Sequence, residues 1–358
     1  MEISLKKLNK RQEHILAFLE NSEKASAGEL VEVVARETEP VTRMTVLRDV
    51  DELLEQGFVK RVGSGRSAAY CLAPMYARLR PMDVDAYFSR PFGERRARAE
   101  CDGEVFALLA SENILSQEEQ AYLEKKNKKY AQTKRTLEEE SPAILKREWE
   151  RLIIEFSWKS SEIEGNTYSL LETEALLKES QYAEGKDRAE AQMILNHKNT
   201  FEYILANREM FSEASSENIK KLHEMLVEGL GVKMDFRNHP VGITGTLYRP
   251  PAKEKHIEEL MSRMLDAVRA KEDPFEAALI LLVGISYLQP FEDGNKRTAR
   301  MMANAFLHAH DRAMLSYRSV PAVEYKKAML LFYEQNNLSA IKKIFIEQFA
   351  FSTEHYFG

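Results

Sequence analysis

Cysteine is almost missing from this chain. Only Cys71 and Cys101 occur in 358 residues, so no disulfide framework is implied. Long apolar runs are missing too. The stretch from Phe275 to Leu288 is interrupted by Gly284 and Ser286, and it falls short of the ~20 apolar residues a membrane span needs. The first residues, Met1-Glu2-Ile3-Ser4-Leu5-Lys6-Lys7, lack the apolar centre of a signal peptide. There is no excess of positive charge: 51 Lys and Arg face 57 Asp and Glu, a net of −6. That balance excludes a chain-wide attraction to nucleic acid or acidic membranes. Internal repeats and low-complexity segments are absent. A soluble, cytoplasmic protein with no membrane partner is expected. At roughly 100–200 residues per domain, two or three domains are expected.

Residues 1–73 read as a small separate α/β unit. Leu8, Ile15, Phe18 and Leu19 recur at helical spacing. Ser26 can cap a second helix bearing Leu30, Val33 and Val34. Pro40 breaks the chain, and Thr42 can cap a third helix with Val46, Leu47, Val50, Leu53 and Leu54 inward, ending at Gly57. Phe58–Val62 and Ala68–Leu72 flank Gly63-Ser64-Gly65, a hairpin pattern. Three helices and a hairpin resemble a winged helix-turn-helix domain. That resemblance implies that Arg43, Thr45 and Arg48 face DNA from the third helix, with Lys60, Arg61 and Arg66 on the wing. Against this, residues 1–73 carry 11 Lys and Arg and 12 Asp and Glu, a net of −1, and DNA affinity rests largely on phosphate neutralisation. DNA binding and a protein-contact or dimerisation role both stay open.

Residues 74–103, punctuated by Pro81, Pro91 and Gly93, read as a linker without a clear period. From 104 to 358 helical patterns dominate. Trp149, Leu152, Ile153 and Phe156 mark an amphipathic helix in the segment 146–165, which stops at Gly165. Glu164 falls in its last turn, where a carboxylate opposes the helix dipole by ~0.3–1 kcal/mol unless a cation holds it. Ser169-Leu170-Leu171-Glu172 is a capping-box pattern for the next helix. Gly, Pro and β-branched residues from Phe236 to Pro251 favour a short β-hairpin. Phe275–Leu288 should be a buried central helix. Thr298–His310 and Tyr325–Phe349 should be helical as well.

Between those helices runs Tyr287-Leu288-Gln289-Pro290-Phe291-Glu292-Asp293-Gly294-Asn295-Lys296-Arg297-Thr298-Ala299-Arg300. Gly294-Asn295-Lys296 would form an anion-binding nest at a helix N-terminus. Arg297 and Arg300, three apart, could clamp phosphate oxygens. Asp293 is a hard oxygen ligand, suited to a Mg²⁺ shared with phosphates and water. An ordinary Asp-Gly-Asn turn before a helix stays possible on spacing alone.

The stretch resembles the signature of the Fic family, H-x-F-x-[D/E]-G-N-[G/K]-R-x-x-R, at Phe291, Asp293, Gly294, Asn295, Lys296, Arg297 and Arg300. Ser160-x-x-x-Glu164-Gly165 resembles the family's inhibitory motif, and Ile243-Thr244-Gly245-Thr246-Leu247 its target-docking flap. The resemblance spans roughly Glu104 to Phe349 and covers the signature loop 289–300. It implies a mainly α, all-helical core with a β-hairpin flap, of the class with an N-terminal inhibitory helix. It also implies ATP with Mg²⁺ as cofactors, and transfer of AMP to a hydroxyl of a target protein. Asp293 would hold the metal. Gly294 and Asn295 would bind the α- and β-phosphates, and Lys296 and Arg297 belong to the same phosphate site. Arg300 would take the γ-phosphate or pair with Glu164. A target peptide would add a strand to the flap, and the adenine would sit near a helix starting at Tyr325. A homodimer is a further possibility.

The sequence departs from the signature at Gln289, where the family has a catalytic His. Gln cannot accept and release the hydroxyl proton, and loss of a positioned base costs ~10²–10⁴-fold. ATP binding should survive while transfer is weak or absent. Lys296 stands where Gly is commoner; Lys also occurs there in the phosphate-transferring Doc branch, which leaves the transferred group open. A non-enzymatic winged-helix DNA-binding regulator with an ATP-sensing Fic-like domain is the alternative.

Overall fold

The computed structural model describes residues 8–38, 41–65, 68–91, 93–95 and 97–357. The chain divides into two compact units, Met1–Pro81 and Met82–Gly358. Residues 74–103, expected as a linker, are shared between them.

The first unit packs α1 (Lys10–Asn21), α2 (Ala27–Glu37) and α3 (Arg43–Glu55) on a small sheet. Asn9, Ser26 and Thr42 cap these helices through side-chain oxygens, which meets the expectation at Ser26 and Thr42. Ile15, Leu16, Leu30, Val34, Val46, Val50 and Leu53 form one core. The sheet has β1 (Ala25–Ser26), β2 (Val59–Val62) and β3 (Ala69–Leu72) in the order β1-β3-β2, all antiparallel. Val59 pairs with Leu72 and Val62 with Ala69, so the expected hairpin forms. The two-residue β1 was invisible in the sequence because it has no period of its own. A short α4 (Pro74–Leu79) closes the unit. Arg66 and Pro40 lie outside the described residues.

The second unit is helical. It runs through α5 (Val84–Phe88), α6 (Glu104–Ser111), α7 (Gln117–Glu140), α8 (Pro142–Ile163), α9 (Leu170–Glu179) and α10 (Arg188–Ala206). A 3-10 turn, Arg208–Phe211, leads to α11 (Ser216–Val227), α12 (Glu254–Arg269), α13 (Pro274–Leu288), α14 (Asn295–Ala309), α15 (Ala322–Gln335) and α16 (Ser339–His355). The mainly helical class expected from periodicity holds. Every residue of α13 from Phe275 to Leu288 is buried. A Cβ at Gly284 would collide with Met264, so the glycine that interrupts this apolar run is where α12 lies closest. Among the described residues no helix is long and apolar enough to cross a membrane.

Three expectations need correction. Residues 243–247 form no strands; a turn at Thr244–Gly245 separates unpaired arms. Nearby, Arg249 is bridged instead to Glu100 in parallel. The ladder fails because Arg95 takes the Gly245 carbonyl at 2.5 Å and Thr246 Oγ1 accepts from the Tyr248 N–H at 3.1 Å. The helix expected over Tyr325–Phe349 is two helices. Asn336 adopts a left-handed conformation (φ 49°) and ends α15, as Asn tolerates well. The supposedly aperiodic linker holds α4 and α5, too short for a periodicity to register.

Candidate functional site

Helix α13 ends on Gln289, itself left-handed at φ 46° and ψ 56°. Its side-chain Nε2 folds back and donates to the Ser286 carbonyl at 2.7 Å. The turn is stapled by buried Arg237, whose Nε donates to the Gln289 carbonyl at 2.7 Å and whose Nη2 donates to the Pro251 carbonyl at 2.6 Å. Six residues on, Asn295 closes a second turn: its Oδ1 accepts from the Phe291 N–H at 2.8 Å and its Nδ2 donates to the Phe291 carbonyl at 2.9 Å. Gly294, at φ 81°, precedes α14. A Cβ there would sit 3.0 Å from Val227 Cγ1, so both the backbone and the space call for glycine.

His223 stacks on Phe291, with ring centroids 3.6 Å apart, and its Nε2–H donates to the Asp293 carbonyl at 2.9 Å. Burial pushes the imidazole down to about 4, so it is neutral at pH 7 and supports the loop without adding charge. No side chain caps the first turn of α14. Its N–H groups therefore keep the positive end of the helix dipole available to an anion.

The charges converge a turn further in. Arg300 is fully buried. Its Nη2 donates to Glu164 Oε1 at 2.9 Å and to the Ser160 carbonyl at 2.9 Å, and its Nε donates to Ser160 Oγ at 3.0 Å. The guanidinium lies 5.3 Å from the centre of the buried Tyr325 ring. Lys296 Nζ reaches the other oxygen of Glu164 at 3.2 Å. Burial opposes ionisation of Glu164, but the charges of Arg300 and Lys296 overcome it and hold the carboxyl down to about 2. A carboxylate capping the wrong end of α8 is thus met by two cations from the start of α14. Neither Glu164 nor Ser160 takes the buried Arg300 Nη1; the Tyr325 side chain is the further group beside the guanidinium.

The structure brings Ser160, Glu164, Lys296 and Arg300 together, with Asp293, Gly294 and Asn295 at the mouth. Gly165, at φ 102°, turns the chain away after Glu164. Arg297 does not join a two-arginine clamp. It is buried, and its Nη1 donates to the Leu226 carbonyl at 3.3 Å while Nη2 pairs with Asp293 at 3.1 Å. The same Leu226 carbonyl also accepts from Asn196 Nδ2 at 3.2 Å, so Arg297 is held at the end of α11 together with Asn196. Asn295 likewise spends its side chain on the loop, leaving only its backbone for a ligand. Tyr325 lies one turn inside α15 rather than at its start. A cleft of about 620 Å³ runs beside the loop, lined in part by Met234, Phe236, Asn238, His239 and Glu292.

In the first unit Arg43, Arg48, Lys60 and Arg61 are exposed. The Thr45 hydroxyl is engaged with that of Thr42 at 3.0 Å. Sequence reading missed His197, His223 and Arg237. Each is a single polar residue in a helix or loop, and nothing local marks what it will meet across the fold.

Residues 213–307 match the family model described as the Fic/DOC family, and that span contains the whole stretch from Gln289 to Arg300. Two curated relatives are both named Protein adenylyltransferase Fic. The Drosophila ananassae protein is 26% identical over 175 residues, 47% of this chain and 34% of its own. The Nematostella vectensis protein is 27% identical over 168 residues, 46% of this chain and 39% of its own. The match thus spans little more than a third of each curated relative. A Fic-domain-containing signaling protein from Bacteroides thetaiotaomicron superposes with a TM-score of 0.56 at 19% identity, covering 65% of this chain and 95% of its own. Fic-1 from C. elegans superposes at 0.55 and 16% identity, covering 98% and 99%. The second unit therefore shares the fold of Fic proteins.

Proposed function

We propose that the head of α14 is an ATP site of the AMP-transferring type, closed by Glu164 and impaired in transfer by Gln289. One observation carries the reading. A fully buried arginine and a lysine, both in the first turns of one helix, are neutralised by a carboxylate from another chain segment. Glu164 occupies the position an anionic ligand would take.

The residues present fit such a ligand. Gly294 takes the left-handed turn that leaves the first N–H groups of α14 without a side-chain cap. Asp293 is 70% exposed at its side chain and offers hard oxygen to Mg²⁺. Among the described residues no three His, Cys, Asp or Glu gather into a metal cage, so a cation here would draw its remaining ligands from phosphates and water. Bound there, MgATP would supply AMP to a target hydroxyl: the hydroxyl oxygen would bond to the α-phosphorus as the bond to pyrophosphate breaks, with pyrophosphate leaving and the hydroxyl proton passing to water. Lys296 and the Asn295 backbone would hold phosphates, and Arg300 would orient the outermost one once freed from Glu164. Gln289 supports the turn but offers no base, since its amide does not take up a proton at neutral pH. The segment Ile243–Leu247 would dock the target through its unpaired backbone. The target is a protein, and a homodimer is compatible with this reading.

Calorimetry with MgATP tests closure: Glu164→Gly should tighten binding about tenfold or more, as expected when a competing state is removed. Equal affinity would sink the pairing. For the chemistry, Gln289→His combined with Glu164→Gly should label itself with α-³²P-ATP. A silent double variant that binds ATP would favour the non-enzymatic reading.

That second reading rests on the first unit. Arg43 and Arg48 are exposed on α3 and Lys60 and Arg61 on β2, and these four cations are the observation that favours a DNA-binding role. Binding to a pool of duplexes at two salt concentrations tests it; a missing salt slope would argue against groove binding.

A further inference from the structure

We propose that His197 is a positioning residue for the closed state: its unprotonated Nε2 orients the Ser160 hydroxyl so that a lone pair faces Arg300. This rests on the reading of Glu164 as the group that holds Arg300 away from a nucleotide.

The direction of each hydrogen bond follows from the chain of partners. His197 sits in α10 and is fully buried, as are Ser160 and Arg300. Its Nδ1 lies 2.8 Å from the Met193 carbonyl. A carbonyl can only accept, so Nδ1 carries the hydrogen. Nε2 is then a bare acceptor, 2.9 Å from Ser160 Oγ, and the serine must donate to it. Ser161 Oγ, 3.3 Å from Nδ1, adds at most a weak second acceptor. With its hydrogen directed at His197, Ser160 Oγ presents lone pairs to Arg300 Nε at 3.0 Å. The opposite tautomer would set a bare Nδ1 lone pair against the Met193 carbonyl oxygen at 2.8 Å. Burial first, then the charge of Arg297, pushes the imidazole down to about 3, so the acceptor persists across the physiological range.

Thus α10 reaches through α8 to the arginine. Without the acceptor, the Ser160 hydroxyl is free to rotate and Arg300 loses a well-aligned bond that exists only while Glu164 holds it. The closed state weakens, and the nucleotide gains.

The experiment is MgATP calorimetry on the full chain in two backgrounds. His197→Phe keeps the ring that packs on Phe156, 5.9 Å away, but offers no acceptor. It should tighten MgATP binding by about threefold to tenfold, the range for the net worth of one neutral hydrogen bond. His197→Gln, whose amide oxygen reaches the same place, should stay within about twofold of the parent. In the Glu164→Gly background His197→Phe should change nothing further, because the state it weakens is gone. If Glu164→Gly tightens binding and His197→Phe does not, this inference is overturned while the closed-site reading stands. An equal shift in both backgrounds also overturns it, since His197 would then act on the fold. If Glu164→Gly itself has no effect, both readings fall. Should His197→Phe not fold, Ser160→Ala removes the same hydroxyl and must show the same background-dependent pattern.

Discussion

Two left-handed residues five positions apart divide the candidate site. Gly294 opens α14 at φ 81°, where glycine carries no steric penalty and a side chain would press on Val227. Gln289 ends α13 at φ 46°, where a residue with a Cβ is strained by roughly 1–2 kcal/mol. The first is built from a residue suited to its backbone and leaves its N–H groups facing outward. The second is held in an unfavourable conformation by Arg237, with its amide turned back on Ser286. The binding side of the loop is locally consistent, whereas the side where a base is expected is strained and lacks one. Strain that the surrounding fold over-determines is a mark of functional positions, and here it persists at a position without the chemistry.

Several changes would break or sharpen this contrast. The largest expected effect is at the charge cluster that serves the binding side. Glu164→Gln leaves Arg300 buried without a counter-ion and should destabilise the second unit near the lower end of the ~3–5 kcal/mol seen for broken buried pairs. Denaturant unfolding measures it, and a change under ~1 kcal/mol would show that the Ser160 carbonyl and hydroxyl suffice for Arg300. The same comparison across pH carries a sign. The Glu164 carboxyl is depressed from 4.5 to about 2, so its contribution is complete above the unfolded value and fades as pH falls through the folded one. The difference between parent and Glu164→Gln should be flat from about pH 8 to pH 5 and shrink below.

Next in size is Gly294→Ala. It combines a left-handed alanine with a 3.0 Å contact to Val227, so a loss of about 2–3 kcal/mol is expected, together with weaker MgATP binding. Unchanged stability would mean the loop can shift. The smallest is Gln289→Gly, which relieves the strain but forfeits the bond to Ser286. A net gain of up to ~1 kcal/mol is expected. A loss would show that the Gln289 amide holds the turn more firmly than its backbone strains it.

Much of the fold was legible because its signals are local. Ser26 and Thr42 cap their helices as their side chains suggest, and Ser169 with Glu172 forms the capping box read from four letters. The apolar run of α13 is buried on all sides, as a helix without a polar face must be. The flap was misread because β-branched residues and glycines describe an extended chain equally well whether or not it finds a partner strand. Asn336 was missed because a single left-handed residue leaves no periodic trace.

The residues themselves determined the composition of the site: an aspartate, a glycine, three cations and a glutamine in one short stretch, and a glutamate at a helix end where its charge is unfavourable. Only the tertiary structure decided how those charges are spent. It turned Arg297 toward the Leu226 carbonyl, sent Lys296 and Arg300 to Glu164, and set His197 behind Ser160. The physical reason is burial. Away from water an unpaired donor is costly, and which acceptor lies within hydrogen-bond reach depends on how α8, α10, α11 and α14 pack, not on the order of the residues along the chain.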